Sequence, residues 1–136
     1  MVGHWVRRLQ QQSTQVFSAQ MQAHGWDLTS VQFAALDALA QEPGQDQASL
    51  AAQIGFDRAT LGGVVDRLET KGLITRVVSP NDRRSRVLHL SEAGRVLLER
   101  CRPVVVALQP HILPGLDAAE QAQFLALARK ALGQGG

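Results

Sequence analysis

The chain has 136 residues, 45% hydrophobic and 19% charged, which is the size and composition of a single globular domain. No apolar run approaches the roughly 20 residues that span a bilayer, and the polar N-terminal segment lacks the apolar core of a secretory signal, so we expect a cytoplasmic protein with no membrane partner. The one cysteine, Cys101, has no partner for an internal disulfide, and no zinc-ligand spacing is present, so we expect neither a metal nor a cofactor.

The net charge of +2 is unevenly distributed along the chain. Residues 56–86 hold seven Lys or Arg against four Asp or Glu, whereas the rest of the chain has a slight excess of acid. A local basic segment is typical of a surface that binds a polyanion.

The predicted elements begin with a helix over about residues 4–24, in which apolar residues recur at helical spacing. A capping box follows, in which the Thr29 hydroxyl accepts from the third helical amide and the Gln32 side chain reaches back to the Thr29 amide. It opens a second predicted helix that runs up to the Pro43-Gly44 pair.

Two short helices and a hairpin come next. Asp46 and Asp57 stand where they can cap the two helices, and Gly72 ends the second one. Short helices joined by a tight glycine-containing turn make a helix-turn-helix, and the runs LITRVV and RVLHL alternate as two strands do. The predicted fold is therefore mainly α with a small β part (α+β), a winged helix-turn-helix.

The last part of the chain reads as two further helices. Ser91 can cap the long fifth helix, and the segment from Asp117 to Glu120 forms a second capping box that opens the last helix. The buried stripe predicted for the fifth helix consists of Val96, Leu97, Arg100, Val104 and Leu108.

In a helix-turn-helix the second helix enters the major groove with its N-terminal end toward the bases. Here Arg58 can bind guanine through two hydrogen bonds, and Thr60 can contact a base edge, a phosphate or a thymine methyl. Arg67 is better placed for a phosphate, and Ala59 and Gly63 complete the outward face of the helix. The alternative interpretation is an ordinary solvated helix face.

The hairpin tip, VVSPNDRRSRVLHLS, is strongly basic. Such a tip is either a solvated loop or a surface that meets a polyanion, because like charges repel one another. We predict that Arg84 enters the minor groove, which attracts arginine when it is narrow, and that Arg83 and Arg86 contact the DNA backbone. Asn81 and Asp82 form the turn before them, where the acid either orients an arginine or holds the turn.

The segments LTSVQFAALDAL and LAAQIGFDRATLGGVVDRLETKGLITRVVSPNDRRSRVLHLSEAGR resemble the multiple-antibiotic-resistance regulator (MarR) family of winged-helix repressors. VDRLETKGLI followed by DRRSRVLHLSEAG is the specific part of the resemblance, which spans nearly the whole chain. It implies a homodimer held by residues 1–28 and 91–136, with residues 29–90 as the DNA-binding region. It also implies a near-palindromic operator, base contacts from the helix that starts at Arg58, minor-groove insertion by the wing tip, and release by a small, often aromatic or phenolic, ligand.

Two features depart from the family pattern. Gly62 and Gly63 stand where many relatives have a polar or basic side chain, which suggests that the helix backbone closely approaches DNA or a neighbouring helix; the alternative is loose packing. The peroxide-sensing branch of the family uses a reactive cysteine on its first helix with tyrosines nearby. This chain has no tyrosine and its cysteine is on the fifth helix, so we interpret Cys101 as a packing residue.

A candidate ligand site lies on the first helix. His4, Arg8 and Gln11 recur at helical spacing next to Trp5, which suits an aromatic carboxylate held by the arginine and covered by the indole. Phe33, on the second predicted helix, is predicted to form the floor of this ligand site. The start GHWVRRLQQQ together with DRATLGGVVDRLE resembles the branch that controls aromatic-acid catabolism, which implies a small aromatic acid or its thioester as effector. The alternative is an interface helix whose polar residues meet solvent.

Other functions find less support in the sequence. An enzyme would need a nucleophile and base pair, a metal spacing or a glycine-rich phosphate loop, and none of these motifs is present, so we expect no enzyme. A winged-helix module that binds only proteins would not explain three arginines on the wing beside a basic helix. A DNA binder without any effector is the third alternative.

Overall fold

The computed structural model describes residues 1–134, so the last two residues of the predicted segment 91–136 lie outside it. The described part of the chain confirms the predicted fold class, since it is mostly helical with one two-stranded antiparallel sheet. The elements in chain order are α1 Val2–Ala23, α2 Ser30–Gln41, α3 Gln47–Ile54, α4 Arg58–Thr70, β1 Ile74–Val78, β2 Arg86–Leu90, α5 Glu92–Leu108, a short 3₁₀ turn Gln109–His111 and α6 Ala118–Ala131. Across residues 1–134, none of the helices is both long and apolar enough to cross a bilayer.

The predicted helix starts are confirmed, because each capping side chain makes its bond. Thr29 Oγ1 accepts from the Gln32 amide at 3.1 Å, and Gln32 Oε1 accepts from the Thr29 amide at 3.1 Å. Side chains at the other predicted caps likewise accept from the amide three residues on; these caps are Asp46, Asp57, Ser91 and Asp117. Each such cap is worth about 1 kcal/mol, so helix boundaries here are set by local chemistry.

The helix-turn-helix is built around α2, α3 and α4. Their inward side chains form one core with the sheet and α5. The fully buried members of this core on α2, α3 and α4 are Ala35, Leu36, Leu39, Leu50, Leu61, Val65 and Leu68. The turn between α3 and α4 passes through Gly55 at φ +77°, a left-handed conformation that favours glycine. The burial of one side of α4 leaves its opposite side at the surface.

The wing is anchored to the helix-turn-helix by backbone hydrogen bonds. Ile74 pairs with Leu90 and Val78 with Arg86, so the hairpin tip comprises residues 79–85. The loop between α2 and α3 adds a short bridge to β2, because the Leu88 amide donates to the Gln45 carbonyl at 2.8 Å. The wing therefore has a fixed position beside α3 and α4.

The stripe predicted for α5 is confirmed at Leu108, which is buried, and at Leu97 and Val104, which pack half-buried against the core, but it is wrong at two positions. Val96 and Arg100 are exposed, whereas Leu98, Cys101 and Val105 are buried. The sequence places apolar residues next to one another at 96–98 and 104–106, so helical spacing alone allows two faces. Packing of α5 against α1 and α2 selects between them.

Cys101 is fully buried in this core, which confirms its interpretation as a packing residue. Burial raises the pKa of its thiol, because the thiolate would lose its hydration.

Apolar side chains remain exposed on α1 and α6. Of the 22 residues of α1 only Phe17 and Met21 are buried, and α6 buries none of its residues. The exposed apolar side chains of these two helices and of the C-terminal cap of α6 include Val2, Trp5, Val6, Phe124, Leu125, Leu127 and Leu132. Exposed apolar surface of this extent is typical of an association surface.

Candidate nucleic-acid interface

The first turn of α4 is held rigidly by its cap. Asp57 Oδ1 accepts from the Thr60 amide at 2.7 Å, and Asp57 Oδ2 accepts from the Thr60 hydroxyl at 2.9 Å. These hydrogen bonds, the backbone one first, lower the pKa of the Asp57 carboxyl, so it is ionised at neutral pH. Arg58, Ala59 and Thr60 are exposed on this turn.

The glycine pair of α4 has two different environments. A Cβ on Gly62 would lie 3.2 Å from Gln47 Nε2, so this glycine accommodates a side chain of α3. A Cβ on Gly63 would meet only the Arg67 guanidinium, at 3.7 Å. Arg67 therefore lies along the outward face of α4 over a position that carries no side chain.

The tip of the wing is a hydrogen-bonded turn. Asp82 Oδ1 accepts from the Arg84 backbone amide at 3.0 Å, and the Ser85 amide donates to the Asp82 carbonyl at 3.1 Å. The Asn81 amide donates to Ser79 Oγ at 3.3 Å. Of the two roles considered for Asp82, this geometry fits the one that holds the turn. The side chains that project from the tip and the start of β2 are exposed: Arg83, Arg84 and Arg86.

A cleft of about 300 Å³ lies between the wing and the starts of α3 and α4. Its lining includes Asp46, Gln47, Arg58, Arg76, Arg84 and Arg86. Three of the predicted DNA-binding residues are thus brought together, and the others lie along α4 or at the wing tip outside the cleft. Three guanidinium groups without a carboxylate partner, those of Arg58, Arg84 and Arg86, bring positive charge to one cleft, beside the ion-paired Arg76 and the carboxylate of Asp46.

Arg76 is a structural residue of this surface that the sequence did not reveal. From β1 its guanidinium forms an ion pair with Asp66 on α4, and its Nε lies 3.9 Å from Glu69 Oε1. The contact ties the wing to α4, so the two parts of the surface keep their relative position. No spacing along the sequence indicates this contact, because it depends on how β1 packs against α4.

Arginines without a carboxylate partner are concentrated on α4 and the wing, although within residues 1–134 Arg7, Arg8, Arg100 and Arg129 also have none. Arg76, Arg95 and Arg102 each have a carboxylate partner. Within residues 1–134, five predicted DNA-binding arginines lack one within ion-pair distance: Arg58, Arg67, Arg83, Arg84 and Arg86. Their charge is therefore available to an external anion.

The predicted ligand residues are not all brought together within one chain. His4, Trp5, Arg8 and Gln11 are exposed on the N-terminal half of α1, with the first two rings 5.0 Å apart and edge-on. Phe33 lies 6.0 Å from Phe17, ring centre to ring centre. At 1.5 Å per residue, Phe17 is about 13 Å along α1 from Arg8.

Phe33 instead lines a groove of about 510 Å³ between α2 and α5. The groove is walled by Ala40, Val105 and Val106, and Arg102 donates to Asp37 Oδ1 at 2.6 Å within it. An apolar groove of this volume with a small number of polar groups is typical of a site for a small organic molecule.

A winged helix whose exposed helix and wing carry unpaired arginines defines a DNA-binding protein of the helix-turn-helix class. The MarR family model matches residues 28–85. The HTH-type transcriptional repressor NicR of Pseudomonas putida is 36% identical over 129 residues, which cover 95% of this chain and 80% of NicR. The chain belongs to the MarR family.

Solved structures extend this similarity to nearly the whole fold. BpsR of Bordetella bronchiseptica, whose DNA binding is regulated by 6-hydroxynicotinic acid, superimposes with a TM-score of 0.87 at 30% identity, covering 96% of this chain and 92% of BpsR. The transcriptional repressor CouR, bound to a 23-mer DNA duplex, has a TM-score of 0.84 at 28% identity, covering 97% of this chain and 92% of CouR.

Proposed function

We propose that the protein is a transcriptional repressor that binds a near-palindromic operator as a homodimer and is released by a small aromatic acid. The observation that carries this proposal is the set of unpaired arginines that α4 and the wing present around one cleft. NicR and CouR are repressors, and BpsR responds to an aromatic acid. Such a regulator works in the cytoplasm, where bacterial DNA lies, and we propose no enzymatic activity for it.

We propose that α4 lies in the major groove and that the wing reaches the adjacent minor groove. Arg58 and Thr60 would then face base edges and Arg67 a phosphate, and the wing tip would supply the remaining contacts. The residues proposed to contact DNA are Arg58, Ala59, Thr60, Gly63, Arg67, Asn81, Asp82, Arg83, Arg84 and Arg86.

Replacing Arg84 with alanine is expected to weaken operator binding by about 1–3 kcal/mol, since one specific arginine contact is lost. Fluorescence anisotropy over a salt series, on a duplex selected by the wild-type protein from a random library, measures the change. Arg95→Ala is a matched control, because its guanidinium is held by Glu92 and Glu99 on α5. Equal affinities for Arg84→Ala and wild type at every salt concentration would leave the wing as a solvated loop.

We propose that residues 1–28 and 91–136 form the dimer interface and that residues 29–90 form the DNA-binding region. The exposed apolar faces of α1 and α6 support this division. A dimer would set the two copies of α4 about one DNA turn apart, as a near-palindromic operator requires.

Sedimentation at micromolar concentration is expected to give a dimer, twice the 14.7 kDa of the chain. Leu127→Glu is expected to shift the equilibrium to monomer, because it places a charge on the exposed apolar face of α6. Ala126→Glu, which adds the same charge at an exposed position on the side of α6 opposite the apolar face, is the control and is expected to remain dimeric. A wild-type monomer would contradict the proposed interface.

We propose that the effector site is shared between subunits. Arg8 and Trp5 of one subunit would cover the groove between α2 and α5 of the partner, where Phe33 forms the floor; His4 and Gln11 would add polar contacts. Phe33 contacts Phe17, which lies about 13 Å along α1 from Arg8, and this offset supports an intersubunit arrangement over one within the chain. A ligand releases DNA only if it binds the DNA-incompetent arrangement more tightly, and a site between subunits can sense their relative position.

A further inference from the structure

We propose that Thr60 is a specificity-determining residue that presents a hydrogen-bond acceptor and a methyl group to the major groove and thereby reads an adenine–thymine pair. The inference rests on the proposed DNA-binding function and deepens it, since it states which base pair one residue of α4 selects. It excludes for Thr60 the two other roles open to an exposed threonine, donation to a phosphate and donation to a base oxygen or ring nitrogen.

The evidence is the direction of one hydrogen bond. A threonine hydroxyl has one proton and two lone pairs, whereas an ionised carboxylate can only accept. Asp57 Oδ2 lies 2.9 Å from Thr60 Oγ1, and Asp57 Oδ1 is occupied by the Thr60 amide at 2.7 Å. The carboxyl is ionised at neutral pH, since these bonds lower its pKa. The hydroxyl proton is therefore committed to Asp57.

What remains exposed on Thr60 has a defined chemistry. Its oxygen keeps lone pairs, and the residue is exposed at the surface of α4, where its methyl group is the remaining apolar part. Phosphate oxygens, guanine O6 and N7, and thymine O4 are all acceptors, so none of them can pair with a lone pair. Adenine N6 and cytosine N4 are the donors of the major groove, and only the adenine–thymine pair adds a C5-methyl for the threonine methyl to contact.

The surface of α4 leaves room for a base to reach this position. Gly63 follows Thr60 by three residues and therefore lies on the same face one turn later. It has no side chain, and a Cβ there would meet only the Arg67 guanidinium. Once the flexible Arg67 side chain turns to the phosphate that we propose for it, the edge of a base pair can approach the helix closely beside Thr60.

Rotation of the hydroxyl toward DNA would break a hydrogen bond to a charged group, which is stronger than one between neutral groups. The acceptor role is therefore the favoured state when the protein meets DNA. If a donor replaced the Asp57 carboxylate, the Thr60 hydroxyl would change from an acceptor to a donor toward DNA without any substitution at Thr60.

Asp57→Asn is the decisive variant. Asparagine is as good a helix cap as aspartate, so its oxygen can still accept from the Thr60 amide. Its amide nitrogen then faces Thr60 Oγ1 as a donor, which frees the hydroxyl proton. The base preference at the position read by Thr60 is expected to move from adenine toward guanine, by roughly five- to tenfold in relative affinity.

Asp46→Asn is the matched control. Asp46 caps α3 through the Ser49 amide at 2.8 Å, so the variant removes the same charge from a neighbouring cap without touching Thr60. Both Asn variants are expected to bind DNA more tightly overall because a negative charge is lost, but only Asp57→Asn is expected to change the base preference at the position read by Thr60, since Asp46 lies beside Arg58. Preferences are measured by sequencing duplexes selected from a random library, and folding is checked by thermal unfolding.

Two further variants separate the methyl group from the acceptor. Thr60→Val keeps the shape and the methyl group, and is expected to lose the discrimination between adenine and purine, which lacks the N6 amino group. Thr60→Ser keeps the acceptor, and is expected to lose the discrimination between thymine and deoxyuridine, which lacks the C5-methyl.

The results of these experiments distinguish failure of the inference about Thr60 from failure of the proposed DNA-binding function. If Thr60→Val weakens binding to all duplexes equally, Thr60 contacts phosphate and the inference fails while DNA binding stands. If Asp57→Asn keeps the adenine preference of the wild type, the direction of the hydrogen bond does not determine the readout, and the inference also fails. If the wild-type protein selects no sequence from the library, the proposed function is overturned together with the inference.

Discussion

Replacing Gly94 with alanine is expected to lower the free energy of unfolding by about 3 kcal/mol, at the upper end of the usual cost of overpacking. A Cβ at this position would overlap the carbonyl oxygen of Leu73 and lie 3.0 Å from its carbonyl carbon. The obstacle is backbone that other hydrogen bonds hold in place, because the Leu73 amide donates to Leu68 and its carbonyl accepts from Ser91. Urea unfolding at fixed protein concentration, followed by circular dichroism, measures the loss.

Gly63→Ala provides the control for this experiment, because it is also a glycine-to-alanine change inside a helix. Its Cβ would meet only the flexible end of Arg67, at 3.7 Å. The intrinsic preference of helices for alanine is expected to raise stability by about 1 kcal/mol. If Gly94→Ala and Gly63→Ala were equally stable, the backbone of Leu73 would be able to move away from α5. The close contact at Gly94 would then not fix the position of α5.

The junction at Gly94 also explains how α5 is positioned on the winged helix. Ser91 Oγ donates to the Gly72 carbonyl at 2.6 Å and accepts from the Gly94 amide at 3.0 Å. One side chain therefore caps α5 and ties it to the end of α4. If α5 moved relative to the partner subunit, α4, the helix that we place in the major groove, would therefore move with it.

Much of the fold could be predicted from the sequence because its determinants are local. The capping side chain of each helix from α2 onward, apart from the short 3₁₀ turn, accepts from an amide three residues away, so the sequence contains both partners within one turn. The wing could be predicted for the same reason, because a hairpin turn between two strands of alternating polarity forms without distant contacts. The basic face of α4 and the wing was visible as a local excess of arginine.

The features that the sequence did not reveal depend on distant packing. Adjacent apolar residues on α5 allowed two buried faces, and only the contacts with α1 and α2 select the one that contains Leu98 and Cys101. The ion pair of Arg76 with Asp66 requires the position of β1 against α4, which no spacing along the chain provides. Phe33 was grouped with Arg8 because both suit an aromatic acid, but the length of α1 separates them.

A small aromatic acid of the proposed class is expected to release operator DNA from the wild-type protein. Arg8→Ala is expected to weaken binding of the acid by roughly 10- to 100-fold, since a charge-assisted pair with the carboxylate is lost. Calorimetry gives the ligand affinity and a gel shift gives the release. Arg7→Ala is the matched control, because Arg7 is an exposed neighbour on the same turn of α1 but points to a different side. An equal effect of both variants would indicate a general loss of positive charge.

Mixed dimers are expected to distinguish a site between subunits from a site within one chain. Ala40→Trp fills the groove between α2 and α5 from an exposed position, so it blocks the ligand without disturbing the core. Each variant alone, Arg8→Ala or Ala40→Trp, should bind poorly. In a shared site, a dimer with one subunit of each kind has one doubly altered site and one intact site, so calorimetry of the purified mixed dimer should find one tight site per dimer. A mixed dimer with no tight site would place Arg8 and the groove of the same chain together, and α1 would then have to move relative to α2 when the ligand binds.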